Sequence, residues 1–210
     1  MFDLTGMTAL VTGASGGLGS PIAKSLAAQG ARLAVSGSNS EKLEAFRNEL
    51  ATLTLGSGAA AMVMARAELA PGAPRYRGGV TRAATEWNKL CRGNLDGMVT
   101  DTRQLLIEGV KLAQKTFQVA RQKLGWVAEE LDEFVVHQVS KVHTAAFTKA
   151  MGIDPKKVLT IFGEHGNIGP ASVPIVLSKL REMGRLKKGD RVALLGIGSG
   201  LNCSMAEVVW

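Results

Sequence analysis

Two polar side chains, His137 and Asn167, have the types and the sequence surroundings needed to bind a negatively charged oxygen. The apolar run 134–136 predicts a short strand that ends at His137, and Ser140 is placed to cap the helix after it. Asn167 lies in a glycine-flanked loop before a helix predicted at 171–183. Two neutral donors that converge on one oxygen stabilise an oxyanion in preference to the ground state. The pair therefore predicts acyl transfer or carbon–carbon condensation.

A buried core histidine and a turn-forming asparagine are the alternative interpretation of the same two residues. Spacing alone favours this alternative, because both residue types are common at such positions in the absence of an active site. A functional assignment therefore depends on motifs elsewhere in the chain.

The composition is that of a soluble globular protein. The chain has 210 residues, 46% of them hydrophobic, which is enough for one good core or two small ones. Residues 1–6 lack the features of a signal peptide and no apolar run reaches membrane-spanning length, so a cytoplasmic location is expected. Cys91 and Cys203 form no disulfide framework, and with the three histidines they form no metal site. Both thiols are expected to be reduced.

The net charge of +7 arises entirely beyond residue 50, because four basic and four acidic residues balance before it. The lysines and arginines are scattered among predicted helices without interleaved aromatic residues, which argues against nucleic-acid binding. A solvated basic face is expected for most of them. Such a surface can also attract an acidic small-molecule carrier.

The first fifty residues contain the start of a nucleotide-binding unit. The run 8–12 predicts a buried strand, and a glycine-rich turn, a helix to Gly30 and a strand at 31–35 follow it. Glycines in such a turn let the backbone approach a pyrophosphate at the helix amino terminus. No acidic residue follows the second strand, which favours NADP over NAD. The candidate cofactor-binding residues are Thr12, Gly13, Gly17 and Gly19.

Beyond residue 50 the pattern alternates between strands and helices. Apolar residues recur at three- and four-residue steps from Asp101 and predict a long core-forming helix. Residues 71–77 are expected to form a loop. Strands are predicted at 52–56, 56–64, 158–162, 191–195 and 205–210. This alternation predicts an α/β layered fold.

The turn from Thr12 to Gly19, between a strand and a helix, resembles the opening of short-chain dehydrogenases, in particular 3-oxoacyl-ACP reductase. The resemblance covers residues 1–50 and implies an NADP-dependent Rossmann reductase. That family also needs a Tyr-x-x-x-Lys pair with a serine in its active site. The single tyrosine, Tyr76, is followed four residues later by Val80, so the pair is absent and an incomplete βαβ unit is expected.

Three separated motifs point to a second family: His137-Gln138, Gly166-Asn167 with Ala171-Ser172, and the glycine-rich stretch 196–200. With these motifs, residues 51–210 resemble the C-terminal half of 3-oxoacyl-ACP synthase III in the thiolase superfamily. The segment 86–94 looks most like the acyl-CoA condensing enzymes of bacterial olefin synthesis.

This second resemblance implies an acyltransferase that performs Claisen condensation of acyl thioesters, in fatty acid or olefin biosynthesis, without a cofactor. It gives catalytic roles to His137 and Asn167. The terminal loop of Gly198, Ser199 and Gly200 is implied to help line the oxyanion hole. An acyl-CoA or an acyl carrier protein thioester is the implied partner, and no nucleic acid, membrane span or metal is expected.

The nucleophilic cysteine of that family lies in its first half, where this chain has reductase-like residues instead. Neither Cys91 nor Cys203 is at the matching position, and both are expected to be structural. We therefore predict a chimeric or truncated protein that lacks normal condensation activity. A reductase fragment and a non-catalytic nucleotide or acyl-CoA binding module are the alternatives.

The expected fold class is α/β, with the C-terminal half of a thiolase-like layered fold preceded by an incomplete Rossmann βαβ unit. The predicted domains are 1–50 and 51–210. In the family the two halves pack against each other, so an isolated second half would expose apolar surface. Homo-oligomers or aggregation are therefore expected.

Overall fold

The computed structural model describes residues 3–43, 45–46, 55–93 and 98–210. These residues divide into two compact units. The described residues of Met1–Leu55 and Asp96–Met98 form the first unit, and those of Gly56–Leu95 and Val99–Trp210 form the second. The junction predicted near residue 50 lies outside the described residues.

The first unit is a strand, a helix and a second parallel strand. They are β1 (Thr8–Thr12), α1 (Gly19–Ala28) and β2 (Arg32–Ser36). The two strands pair in register from Thr8 opposite Arg32 to Thr12 opposite Ser36. The buried core of this unit consists of Val11, Ala14, Ala23 and Phe46. The predicted βαβ unit is confirmed.

The second unit contains the remaining elements. Its strands are β3 (Arg75–Ala83), β4 (Cys91–Gly93), β5 (Met98–Thr100, whose first residue is grouped with the first unit), β6 (Glu133–Val136), β7 (Arg191–Gly198) and β8 (Asn202–Val209). Its helices are α2 (Thr102–Leu124), α3 (Lys141–Met151), α4 (Phe162–His165) and α5 (Ser172–Glu182). Short 3-10 helices are Ala67–Leu69, Thr85–Trp87, Ala128–Glu130, Pro155–Lys157 and Gly169–Ala171.

A four-stranded sheet in the order β3-β8-β7-β6 organises the second unit. Strand β8 is antiparallel to both of its neighbours, whereas β6 and β7 are parallel. Because β6 and β7 run in the same direction, the residues that follow them emerge at one edge of the sheet. This edge is where the candidate site lies.

Each face of the sheet is covered by a separate hydrophobic core. On one face, Leu112, Phe117 and Ala120 of α2 pack with Phe134 and Leu195. On the other, Val176 and Leu180 of α5 pack in a cluster with Val135 and Val192. Alternate residues of β6 thus point to opposite faces, as expected for a buried strand. The predicted α/β layers are present.

The long helix predicted from Asp101 is confirmed. The Asp101 side chain accepts a hydrogen bond from the backbone N–H of Gln104 at 3.0 Å, which satisfies a donor at the amino terminus of α2. Gly125, with φ of 63°, ends the helix in the left-handed conformation that glycine adopts without strain. The apolar period and the capping residues at both ends indicate the same helix, which is why the sequence predicted it.

Three predicted elements differ from the structure. Residues 56–64 form no strand, because they pair with no strand among the described residues, and Val63 is 96% exposed. Residues 158–161 are also irregular, since a buried side chain rather than a strand bonds their backbone. The loop predicted at 71–77 is shorter, because Arg75 already pairs with Val209. The strand predicted at 52–56 lies largely outside the described residues.

A buried charge network ties the loop after α2 to the sheet. Glu207 on β8 is 4% exposed. Its carboxylate accepts hydrogen bonds from the Trp126 indole N–H at 2.7 Å and from the Arg191 guanidinium at 3.0 and 3.1 Å. The carboxylate is therefore buried with its charge compensated. Among the described residues, no helix is long and apolar enough to cross a membrane.

Candidate active site

His137 stands immediately after β6. Its backbone N–H donates to the carbonyl of Leu195 at 2.8 Å, which continues the parallel pairing of β6 with β7 by one step. Ser140 caps α3, as predicted, by accepting the N–H of His143 at 3.2 Å. Strand β6 before His137 and the capped helix α3 after it therefore fix the backbone that carries the half-buried imidazole.

The start of α5 orients the imidazole of His137. Ser172, the first residue of α5, is 1% exposed, and its Oγ lies 3.0 Å from Nδ1 of His137. A neutral imidazole has one donor and one acceptor nitrogen, so the contact at Nδ1 decides which role Nε2 plays. When the hydroxyl of Ser172 donates, Nε2 carries the hydrogen and is a donor.

The surroundings of His137 favour the neutral form of its ring. Burial lowers the pKa of His137 below its ordinary value, and a backbone hydrogen bond with Gly169 opposes that shift without cancelling it. The pKa of His143 is also lowered by burial. A neutral ring at physiological pH suits a hydrogen-bond donor to an oxyanion better than a proton carrier.

We expect the free energy of unfolding to fall when the pH is lowered from about 8 to about 5.5. In the unfolded chain histidine titrates near about 6.5, whereas the folded pKa values of His137 and His143 are lower, so protons bind preferentially to the unfolded chain. Stability is therefore complete above the unfolded pKa and declines until the folded rings are protonated. Urea unfolding across this range measures the effect, and His137→Gln should reduce the pH dependence to the part that arises from His143. Greater stability at the acidic end would contradict the prediction.

Asn167 lies on the loop between α4 and α5. Its Oδ1 accepts the backbone N–H of Gly169 at 3.0 Å, and its own carbonyl accepts the N–H of Gly56 at 3.0 Å. Because Oδ1 already accepts this hydrogen bond, the two N–H groups of the amide are the donors that Asn167 can offer to a ligand. Gly169, which bonds the Asn167 side chain, also bonds His137. The structure thus links the two predicted catalytic residues through one intervening residue.

The terminal loop joins β7 to β8. Gly198 pairs with Asn202, Gly200 has φ of 120°, and the Asn202 side chain donates to the carbonyl of Ser199 at 3.1 Å. Gly198, the last residue of β7, lies three residues beyond Leu195, whose carbonyl accepts the backbone N–H of His137, and thus about 10 Å along the strand. The loop and His137 therefore lie at the same edge of the sheet, and a role for Gly198, Ser199 and Gly200 in an oxyanion hole stays a prediction.

Neither cysteine lies in the loops that carry His137, Asn167 and Ser199. Cys203, on β8, is 0% exposed within the core beneath α2. Burial raises the pKa of its thiol to about 11. Cys91 on β4 is half-buried, and its Sγ accepts a hydrogen bond from the Thr100 hydroxyl at 3.3 Å. The environment of Cys203 is that of a packed, structural thiol.

The glycine-rich turn of the first unit fits the backbone of a nucleotide site. Gly13 has φ of 65°, and a Cβ on Gly19 would collide with the backbone of Gly13. Glycine is therefore needed at both positions, and the turn leads into the ten-residue helix α1 as a pyrophosphate site requires. NADP binding by Thr12, Gly13, Gly17 and Gly19 stays a prediction. Tyr76 is 59% exposed on β3, away from this turn in sequence.

A surface cavity of about 470 Å³ lies at α2 and the end of α3, and none of the predicted site residues lines it. Its lining residues are Lys111, Gln114, Lys115, Phe117, Gln118, Arg121, Ala150 and Met151. The candidate active site is thus defined by its hydrogen bonds rather than by this cavity.

Sequence reasoning assigned no role to Ser172, Gly169 or Gln138. Ser172 and Gly169 contact His137 directly, and Gln138 is 0% exposed. The available signal was that all three belong to the motifs around His137 and Asn167. A buried glutamine beside a strand end, in particular, requires partners for both of its amide atoms.

Two family models match the chain in series. Residues 122–210 match the 3-oxoacyl-[acyl-carrier-protein] synthase III C terminal model. Residues 7–70 match the short chain dehydrogenase model, which extends past the junction predicted near residue 50. Both predicted resemblances are thereby confirmed.

Full-length relatives and a solved structure agree with the second match. The acyl-CoA:acyl-CoA alkyltransferase of Xanthomonas campestris is 83% identical over 167 residues, which are 80% of this chain and 49% of the relative. That of Shewanella oneidensis is 33% identical over 180 residues, 80% of this chain and 52% of the relative. The crystal structure of 3-oxoacyl-(acyl carrier protein) synthase III from Xanthomonas oryzae superposes with a TM-score of 0.78 at 82% identity, over 80% of this chain and 50% of that one.

The chain spans about half the length of these relatives. The layered fold of its second unit is that of the thiolase-like structures it matches. This chain is therefore a homologue of the C-terminal half of thiolase-like, 3-oxoacyl-ACP synthase III-related condensing enzymes, preceded by residues similar to the start of short chain dehydrogenases.

Proposed function

We propose that this chain carries the oxyanion-binding half of a Claisen condensation site for acyl thioesters. The observation that supports the proposal is the linked arrangement in which Ser172 and Gly169 hold His137 while Gly169 holds the amide of Asn167. Two neutral donors fixed in advance stabilise the charge that develops on a thioester carbonyl oxygen. The bound thioester is the substrate, and its carbonyl is the group recognised.

Each donor has a defined role in this proposal. The proposal requires the tautomer in which the Ser172 hydroxyl donates to Nδ1 of His137, so that Nε2–H can be directed to the thioester oxygen. Asn167 supplies an amide N–H, because its Oδ1 is already engaged by Gly169. The loop of Gly198, Ser199 and Gly200 is proposed to line the same oxyanion site, since it lies at the same sheet edge.

An acyl-CoA is the first ligand to test, because the 83% identical relative is named for a reaction between two acyl-CoA molecules. The acyl carrier protein named in the matching family model is the alternative carrier. Both carriers present an anionic phosphate group, which suits a chain with a net charge of +7.

We further propose that the 210-residue chain does not complete condensation by itself. Condensation through an acyl-enzyme needs an activated thiolate, whereas Cys203 is packed in the core and Cys91 lies on β4, outside the loops that carry His137 and Asn167. The two family matches in series support a chimeric arrangement. The exposure of Met62, Val63 and Met64, at 59%, 96% and 76%, supports the expectation of self-association.

The experiment uses octanoyl-CoA labelled with carbon-13 at the thioester carbonyl. We expect binding to lower the stretching frequency of that carbonyl in the infrared spectrum, because two hydrogen bonds polarise it. His137→Ala and Asn167→Ala should each remove about half of the shift. Asn88→Ala, at an exposed asparagine outside the site, is the matched control and should keep the full shift.

Two outcomes would contradict the proposal. A bound carbonyl whose frequency is the same in wild type, His137→Ala and Asn167→Ala would show that these residues do not bind the oxygen. Condensed product formed from two octanoyl-CoA molecules by the purified chain, and abolished by His137→Ala, would show that the chain has its own nucleophile. Intact mass spectrometry would then identify the acylated cysteine.

A further inference from the structure

Gln138 is a fully buried polar residue next to His137. It is 0% exposed, and its side chain extends from the end of β6 toward the irregular segment 158–161. The amide Nε2 donates to the carbonyl of Leu159 at 2.8 Å. The amide Oε1 accepts the backbone N–H of Ile161 at 2.8 Å. Both polar atoms of one side chain thus bind the same backbone segment.

This pair of bonds reproduces one step of a strand ladder. A neighbouring strand bonds the N–H and the C=O of residues two apart, which is the spacing of Leu159 and Ile161. Gln138 supplies the acceptor and the donor instead, so the segment is held beside β6 without becoming a strand. The buried N–H of Ile161 and C=O of Leu159 would otherwise be unsatisfied.

The held segment leads directly to Asn167. The carbonyl of Ile161 accepts the N–H groups of Glu164 and His165 at 3.1 and 3.0 Å, which begins the single turn of α4. Gly166, with φ of 64°, then turns the chain into Asn167. Ile161 and Ile168 are 3% and 5% exposed in the same core cluster. The loop that carries Asn167 is therefore anchored at both ends, and Gln138 provides the polar anchor.

We propose that Gln138 is a positioning residue, which ties the loop of Asn167 to the strand end of His137 and thereby sets the separation of the two donors. This inference rests on the proposed function of the pair. A donor that moves by about 1 Å loses much of its effect on a developing charge, so a fixed separation matters more than either contact alone. Gln138 touches neither the substrate nor the donors' polar atoms in this scheme.

Gln138→Met tests the proposal with a side chain of similar length and no amide. We expect it to remove the part of the carbonyl shift of labelled octanoyl-CoA that depends on Asn167, about half of the total. The double variant Gln138→Met with Asn167→Ala should lose no more than Asn167→Ala alone, because both changes act on one donor. Thr116→Val, which removes another buried hydrogen bond from side chain to backbone, is the control for a general loss of stability.

Gln138→Glu supplies a second test if the methionine variant does not fold. A protonated carboxyl group can donate to Leu159 and accept from Ile161, as the amide does, whereas the ionised form cannot donate. Burial favours the protonated form, so both hydrogen bonds to the segment 158–161 should be restored on mild acidification. The carbonyl shift of this variant should rise toward the wild-type value between about pH 8 and about pH 6, while that of the wild type changes little.

The outcomes separate the inference from the proposed function. A full carbonyl shift in Gln138→Met, additive losses in the double variant, or a shift in Gln138→Glu that stays reduced down to about pH 6 would each overturn the positioning role. If His137→Ala and Asn167→Ala themselves leave the shift unchanged, the proposed function fails, and with it the basis of this inference. Loss in Thr116→Val equal to that in Gln138→Met would also overturn it, since instability alone would then explain both.

Discussion

Cys203 is expected to remain unmodified when the folded chain is treated with iodoacetamide or with an acyl-CoA at about pH 8. Burial raises the pKa of its thiol to about 11, so about one molecule in a thousand carries the reactive thiolate at this pH. The side chain is also 0% exposed, so the reagent has no direct access. Cys91, which is half-buried, is expected to be the residue that is alkylated first.

Intact mass spectrometry followed by peptide mapping measures the modification of each thiol. Unfolding in concentrated guanidinium chloride is the internal control, because both thiols should then react at similar rates. Cys203→Ala should leave the extent of alkylation in the folded protein unchanged, and Cys91→Ala should abolish it. Rapid acylation of Cys203 in the folded state would mean that the core beneath α2 opens, and it would restore this thiol as a candidate nucleophile.

Glu207→Ala is expected to lower the free energy of unfolding by about 1–3 kcal/mol, the typical cost of leaving a buried hydrogen-bond donor without its acceptor. The substitution leaves the Arg191 guanidinium and the Trp126 indole N–H without their buried acceptor. Burial alone raises the pKa of Glu207, but the hydrogen bonds from Arg191 and Trp126 outweigh burial and hold the pKa below its ordinary value. The stabilisation is therefore present at neutral pH and is lost as the pH falls below about 4.3 through the folded pKa.

Glu130→Ala is the matched control for this prediction. Glu130 also contacts Arg191, at 3.5 Å, but its side chain is 63% exposed. We expect a cost below about 1 kcal/mol, as for other exposed ion pairs. Chemical denaturation at neutral pH compares the two variants. Equal costs would show that burial of the carboxylate does not govern the strength of this network.

Elements with a local signal were predictable from the sequence. The parallel βαβ unit follows from two apolar runs around a glycine-rich turn. Helix α2 follows from its apolar period and the capping side chain of Asp101. The strand before His137 and the cap at Ser140 were predicted for the same reason, since each depends on residues close in sequence.

Elements that depend on distant partners were not predictable. Residues 56–64 and 158–162 both have apolar strand patterns, but a strand exists only where a second backbone pairs with it. The segment 158–161 is bonded by Gln138, about twenty residues earlier, and no pattern within either segment indicates that contact. The contact of Ser172 with His137 spans 35 residues in the same way. The candidate site residues were thus proposed from motifs, and the contacts that support them became visible only in the structure.

The position of β8 in the sheet sets the order in which the second unit can fold. Strand β8 lies between β3 and β7, although it follows both in the chain, and Arg75 and Arg191 both pair with Val209. During synthesis β3 therefore has to wait for more than a hundred residues before its partner emerges from the ribosome. Its unpaired backbone N–H and C=O groups stay open to chaperones and to other nascent chains throughout this time. The yield of native protein should consequently depend on the speed of translation between these strands.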